Sequence, residues 1–204
     1  MKARVHVKIC GLTNLADALS ALDAGADRLG FIGVENTPRF ITPQKFAEIS
    51  AALPPETETV VVVRDVCDGL EYGARRIQYY AGQIEAIAPE IELIPVIRPR
   101  NANEAREMTS VAPPRAVALL VDAYHPAALG GTGETGDWRA AAEAVRWARV
   151  PVYLAGGLSP DNVADAIAAV RPYGVDVSSG VEARPGAKDP ERIRAFIEAV
   201  RGVS

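Results

Sequence analysis

Short runs of β-branched residues alternate along this chain with longer stretches in which apolar residues recur at three- and four-residue spacing. The first pattern is typical of buried strands and the second of amphipathic helices. Eight strands are predicted, at residues 5–10, 28–34, 59–64, 77–80, 92–97, 116–122, 150–155 and 175–179. Eight helices are predicted to follow them, beginning near Asn14, Thr42, Asp68, Gln83, Asn101, Asp137, Pro160 and Asp189. Several of these starts are Asn, Thr or Asp, the residues that cap helix N-termini.

Eight consecutive βα units predict an α/β fold, a compact (β/α)8 or TIM barrel, as a single domain over residues 1–204. The third and fourth units must be short, because residues 60–97 have to hold both. An open doubly wound sheet is the alternative. The turn after the first strand lacks the Gly-x-Gly-x-x-Gly pattern of that fold, so the barrel is favoured.

Composition narrows the class of partner. The 204 residues are 49% hydrophobic, which is enough for a sizeable core, and the net charge of −4 provides no basic stripe for nucleic acid. The apolar runs are too short to span a bilayer. With two cysteines and no apolar leader after Met1, the simplest expectation is a reduced, cytoplasmic protein that binds a small molecule.

Charged and nucleophilic residues occur where several strands end. Lys8 and Cys10 share one face of the first strand, Asp122 ends the sixth, and Asp176 lies in the eighth. An isolated cysteine is most often a buried apolar residue. Burying unpaired charges is costly, so we expect Lys8 and Asp176 to form a supporting ion pair and Asp122 to be functional.

Glycine-bearing segments follow the last three strands: GGTG (130–133), GGLS (156–159) and SSGVE (178–182). A lone Gly-Gly is usually only a turn. Loops after the final strands of a barrel are, however, a common place for a phosphate, which backbone amides bind without a lysine. The sequence therefore predicts a phosphate site, whereas Glu182, Arg184 and Lys188 are expected in a solvated loop.

Several segments together resemble the phosphoribosylanthranilate isomerases of tryptophan biosynthesis. They are KICGLTN (8–14), TPRF (37–40), LVD (120–122), LAGGLSPDNV (154–163), VDVSSGVE (175–182) and PGAKD (185–189). The chain departs from the family on strand four, where IQYYAG (77–82) replaces the usual Gln-Leu-His-Gly segment. This departure leaves the anthranilate pocket less well defined than the sugar-phosphate site.

The resemblance implies an Amadori rearrangement of N-(5-phosphoribosyl)anthranilate to 1-(2-carboxyphenylamino)-1-deoxyribulose 5-phosphate, without metal or organic cofactor. Cys10 would be the general base and Asp122 the general acid. A base thiol requires some thiolate, for which Lys8 is a candidate source of positive charge. Arg39 would bind the anthranilate carboxylate. The phosphate would bind amides around Gly156, Gly157, Ser179 and Gly180, with a further contact at Gly131.

The protein is expected to be a monomer or a homodimer. Two other functions stay open at this point. One is a related aldose–ketose isomerase, such as that of the aminoimidazole intermediate of histidine synthesis. Cys10 argues against it, because that family places an aspartate at the end of strand one. The other is a non-catalytic sugar-phosphate-binding paralogue, which retention of both Cys10 and Asp122 disfavours.

Overall fold

The computed structural model describes residues 4–122 and 138–203. Its strands are β1 (His6–Ile9), β2 (Arg28–Ile32), β3 (Thr59–Asp65), β4 (Arg76–Ala81), β5 (Glu92–Ile97), β6 (Leu119–Val121), β7 (Val152–Leu154) and β8 (Gly174–Val177). Each strand pairs in parallel with the next, and β8 pairs with β1 to close the barrel. The predicted (β/α)8 barrel is thus confirmed, while a single domain over all of 1–204 stays a prediction.

In the described part of the chain, six α-helices surround the barrel: α1 (Leu15–Asp23), α2 (Pro43–Ala52), α3 (Ala102–Ser110), α4 (Trp138–Trp147), α5 (Val163–Val170) and α6 (Pro190–Val203). They begin within a turn of the predicted starts. The side chains of Asn14, Thr42 and Asn101 accept hydrogen bonds from the first turns of α1, α2 and α3, as N-caps do. No helix within the described ranges is long and apolar enough to cross a membrane.

The third and fourth units are reduced further than predicted. A 3₁₀ helix, Val66–Tyr72, stands where an α-helix was predicted near Asp68. Residues 82–91 contain no α-helix, so the one predicted from Gln83 is wrong. The segment between β4 and β5 is short. Its carbonyl groups at Ile84, Ile87 and Ala88, which no helix pairs, accept hydrogen bonds from the Arg115 guanidinium at 2.8–3.2 Å.

The core has two parts. A large apolar layer fills the space between strands and helices, and a smaller group inside the barrel comprises Val60, Ile94, Ala118, Leu120, Tyr153 and Ala155. Lys8, Gln78 and Asp176 are also buried. Side chains alternate between the two faces of each strand, and these three polar side chains form a layer next to the apolar interior. The layer lies toward the end of the barrel where β1 and β8 lead into their loops.

A hairpin absent from the sequence prediction follows β8. It consists of β9 (Glu182–Arg184) and β10 (Ala187–Lys188), paired antiparallel. The hydroxyl of Thr13 donates to the carbonyl of Gly186 at 2.9 Å, and a Cβ on Gly186 would overlap the carbonyl oxygen of Pro38. The hairpin therefore packs on the loops that follow β1 and β2.

Gly174 provides a test of packing inside the barrel. A Cβ there would overlap the ring of Tyr153, which is buried and packs edge-on against Tyr173. We expect Gly174→Ala to lower the free energy of unfolding by about 1–3 kcal/mol. Urea denaturation measures the change. As control, Gly202→Ala in α6 meets nothing within 4 Å, and should be neutral or stabilising by up to about 1 kcal/mol. Equal effects of the two substitutions would contradict the packing argument.

Candidate active site

One cavity of about 260 Å³ opens where the strands lead into their loops. The predicted residues that line it are Cys10, Arg39, Asp122, Gly156, Gly157, Asp176 and Ser179. Lys8 and Gly180 lie outside the lining, and Gly131 lies outside the described residues. Segments separated by more than a hundred residues in sequence therefore converge on one space.

Cys10 follows β1 directly and is 5% exposed, at the cavity wall. The space beside it depends on Gly30, where a Cβ would lie 2.7 Å from the Cys10 sulfur and 3.0 Å from the Lys8 nitrogen. Burial raises the pKa of the Cys10 thiol, and the neighbouring Lys8 opposes that shift without cancelling it. Lys8 thus acts to lower the pKa of Cys10, as expected. The net shift is nevertheless upward, so the free protein favours the thiol over the thiolate.

Lys8 and Asp176 form an ion pair beneath the cavity, with Nζ 2.9 Å from Oδ1. They are direct neighbours in the pairing of β1 with β8. Burial by itself lowers the pKa of Lys8, but Asp176 and Cys10 outweigh burial and the net shift is upward. Lys8 therefore stays charged, and the pair links the two strands at which the barrel closes.

Asp122 stands one residue beyond β6, and its carboxylate accepts a hydrogen bond from Arg98 at 2.6 Å. The guanidinium of Arg98 lies over the ring of Tyr80, 4.7 Å from the ring centre. Neither Arg98 nor Tyr80 was predicted from the sequence to belong to the site. The signal was present, since Arg98 stands one residue beyond β5 as Asp122 does beyond β6.

Arg39 is held by a carboxylate of the protein itself. Its Nε and Nη2 donate to the two oxygens of Glu182 at 2.8 and 2.7 Å, and Lys188 donates to Glu182 at 2.9 Å. The Lys188 side chain is 0% exposed and also donates to the Ser178 carbonyl. The predicted solvated loop is therefore wrong for Glu182 and Lys188, although Arg184 is exposed. Arg39 and Glu182 are 143 residues apart, so no local pattern reveals the pair.

The two glycine loops pack against each other. Gly156 and Gly157 have φ of 92° and 66°, the left-handed region that favours glycine. A Cβ on Gly180 would overlap the carbonyl oxygen of Leu158. The amides that open the 3₁₀ helix Ser179–Val181 have no partner within that helix, by its geometry. Gly156, Gly157 and Ser179 line the cavity, and backbone amides of such loops are of the kind that bind anions.

A bound metal is not indicated by these side chains. Within residues 4–122 and 138–203, no three His, Cys, Asp or Glu side chains cluster as metal ligands do. The polar groups that line the cavity include the thiol of Cys10, the carboxyl group of Asp122 and the guanidinium of Arg39.

Comparison with known protein families identifies the chain's relatives. Residues 7–199 match the family model described as N-(5'phosphoribosyl)anthranilate (PRA) isomerase. The chain belongs to this isomerase family. The N-(5'-phosphoribosyl)anthranilate isomerase of Pelobacter propionicus is 44% identical, with 97% of this chain and 96% of that protein covered. The Geobacter sulfurreducens enzyme of the same name is 43% identical, with 97% and 99% covered.

Solved structures of the isomerase family share the fold. The phosphoribosyl anthranilate isomerase of Thermotoga maritima superposes with a TM-score of 0.82 at 34% identity, covering 97% of this chain and 99% of that one. Another isomerase structure, in complex with reduced 1-(o-carboxyphenylamino)-1-deoxyribulose 5-phosphate, has a TM-score of 0.78 at 32% identity over 97% and 99%. The predicted family and enzyme class, an aldose–ketose isomerase, are confirmed.

The cluster of Arg39, Glu182 and Lys188 yields a stability prediction. Burial alone raises the pKa of Glu182, but hydrogen bonds from Arg39 and Lys188 outweigh it and the net shift is downward. Glu182→Gln leaves the buried Lys188 without its counter-ion, so we expect a loss of about 3 kcal/mol in the free energy of unfolding. Urea denaturation at pH 7 measures this loss.

The pH dependence of that loss has a defined sign. Because the folded-state pKa of Glu182 is lowered, its contribution is complete above the unfolded pKa of about 4.3 and declines as the pH falls further. The difference in the free energy of unfolding between wild type and Glu182→Gln should therefore become smaller as the pH falls below about 4.3. Glu191→Gln, at an exposed position in α6, should cost less than about 0.5 kcal/mol. A pH-independent gap would contradict the assignment.

The thiol of Cys10 can be titrated by alkylation. In a Cys67→Ser background, which removes the exposed cysteine, we expect the rate of iodoacetamide labelling to rise with a midpoint above the ordinary thiol pKa of about 8.5. Mass spectrometry of the labelled peptide measures the rate. Cys10→Ser in the same background should take no label, and a midpoint below pH 8 would contradict the upward shift.

Proposed function

We propose that this chain converts N-(5-phosphoribosyl)anthranilate into 1-(2-carboxyphenylamino)-1-deoxyribulose 5-phosphate, the isomerisation of tryptophan biosynthesis, with Cys10 as base and Asp122 as acid. The observation that carries the proposal is that a thiol and a carboxylic acid line the same cavity, together with Arg39 and the glycine loops. An aldose–ketose isomerisation needs one acid and one base on such a cavity.

The two ends of the substrate fit two parts of the cavity wall. The amides of Gly156, Gly157, Ser179 and Gly180 would donate hydrogen bonds to the phosphate, while the predicted contact from Gly131 lies outside the described residues. Arg39 uses two of its five N–H donors on Glu182, and three remain for the anthranilate carboxylate. The bidentate hold on the guanidinium fixes the plane in which those donors point.

The proposed chemistry begins at the ribose ring. Asp122 gives its proton to the ring oxygen as the bond from C1 to that oxygen breaks, and the nitrogen lone pair forms a C1=N iminium. The iminium acidifies the C2 proton, which the Cys10 thiolate removes to give an enolamine. Tautomerisation of the enolamine gives the ketone. The Lys8 ammonium next to Cys10 favours the thiolate that this step requires.

Activity assays test the proposal directly. We expect wild type to abolish the fluorescence of phosphoribosylanthranilate, with kcat lowered by roughly 10²–10⁴-fold in Cys10→Ser and in Asp122→Asn. Arg39→Met should mainly raise KM, because it removes a binding group. Cys67→Ser alters an exposed cysteine outside the cavity lining and should leave both constants unchanged.

Two results would count against the proposal. In the first, the wild-type protein binds reduced 1-(o-carboxyphenylamino)-1-deoxyribulose 5-phosphate, the reduced product, yet turns over no phosphoribosylanthranilate. That result would indicate that its substrate is another sugar phosphate or that it is not a catalyst. Undiminished activity in both Cys10→Ser and Asp122→Asn would refute the two catalytic assignments while leaving the isomerisation standing.

A further inference from the structure

Tyr80, Arg98 and Asp122 lie at corresponding ends of three neighbouring strands, β4, β5 and β6. Ile97 pairs in register with Val121, so residues 98 and 122 are the next positions along the two strands. The amide of Asp122 donates to the Ile97 carbonyl at 3.1 Å, which continues the strand pairing by one residue. The backbone at Asp122 is therefore anchored to the residue that precedes Arg98.

The side chains of Tyr80 and Arg98 form a sequence of contacts that reaches Asp122. Nη2 of Arg98 donates to Oδ2 of Asp122 at 2.6 Å, and the Arg98 guanidinium rests on the Tyr80 ring. Tyr80 and Asp122 line the active-site cavity, whereas Arg98 is not among the described residues that do. It borders a separate cavity of about 380 Å³ beside Met108 and Val111. Arg98 thus reaches the reacting atoms only through Asp122.

We infer that Arg98, supported by the ring of Tyr80, is a positioning residue for the acid step, a role that rests on the proposed function. It orients the Asp122 carboxyl group and is the counter-ion of the carboxylate that remains after ring opening. The side chain of Asp122 is 6% exposed, so water alone would stabilise that carboxylate poorly.

Charge balance in the acid step explains why a counter-ion matters. The proton moves from the Asp122 carboxyl to the ribose ring oxygen, which keeps the electrons of the broken C1–O bond and becomes a hydroxyl group. The substrate nitrogen becomes an iminium with one positive charge, and Asp122 becomes a carboxylate with one negative charge. A fixed guanidinium stabilises the negative charge as it develops, so its effect falls on kcat rather than on ground-state binding.

Tyr80 contributes its ring face. Counted from Gln78, it occupies the position of the histidine in the family's usual Gln-Leu-His-Gly segment. Burial raises the pKa of the Tyr80 hydroxyl, so that group is neutral at the pH of an assay. Replacement by phenylalanine therefore removes no charge and keeps the platform for Arg98.

The experiment compares kcat and KM for phosphoribosylanthranilate with the affinity for the reduced product, measured by calorimetry. We expect Arg98→Met to lower kcat by roughly 10- to 100-fold, with KM and the product affinity changed less than about threefold. Arg98→Lys keeps the charge and should recover part of that loss. Tyr80→Phe should stay within about threefold of wild type, while Tyr80→Leu should lower kcat by roughly 3- to 10-fold.

A matched control separates this role from a general loss of arginine–aromatic packing. Arg106 lies over the Trp147 ring at 4.1 Å on the outer surface, so Arg106→Met should leave kcat unchanged. The inference is overturned if Arg98→Met keeps the wild-type kcat, if it weakens product binding as much as it lowers kcat, or if Tyr80→Phe is as damaging as Tyr80→Leu. Should Arg98→Met not fold, Arg98→Lys and the Tyr80 pair still decide. An inactive wild type would instead refute the proposed function.

Discussion

Charges buried at one end of a barrel must be paired, and in this protein each pair joins segments far apart in the chain. Lys8 with Asp176 links β1 to β8, and Arg98 with Asp122 links β5 to β6. Arg39 with Glu182 links the loop after β2 to the hairpin after β8. An unpaired charge in any of these places would cost several kcal/mol, so the pairs constrain how the loops are arranged. One member of each pair, Asp176, Asp122 or Arg39, lines the cavity.

The same pairs distribute charge in a way that would suit the anionic substrate of the proposed function. Lys8 with Asp176 and Arg98 with Asp122 each place one basic side chain against one acidic side chain, whereas Glu182 faces two basic side chains, those of Arg39 and Lys188. Under the proposed function, Arg39 of this cluster would bind the anthranilate carboxylate. Under the same proposal, the phosphate would bind backbone amides, whose partial charges need no counter-ion of their own.

The reduced third and fourth units show how little of the outer helical layer the site requires. The 3₁₀ helix Val66–Tyr72 and the hydrogen bonds of Arg115 to the segment before β5 replace two α-helices. All eight strands remain in register. Tyr80 and Arg98 stand near the ends of β4 and β5, which flank the short segment 82–91. The family's usual strand-four sequence is therefore altered beside Asp122 and not in the glycine loops after β7 and β8.

The sequence by itself determined the strand order, most helix starts and the family, because hydrophobic periodicity, caps and contiguous motifs such as KICGLTN are local signals. It also placed Cys10, Arg39, Asp122 and the glycine loops at strand ends. Only the tertiary structure decided that Glu182 and Lys188 are buried on Arg39, that Arg98 rests on Tyr80, and that no helix follows β4. The physical reason is that a buried charge is stabilised by its partner in space. Where 143 residues separate the two, as with Arg39 and Glu182, neither segment carries a local trace of the other.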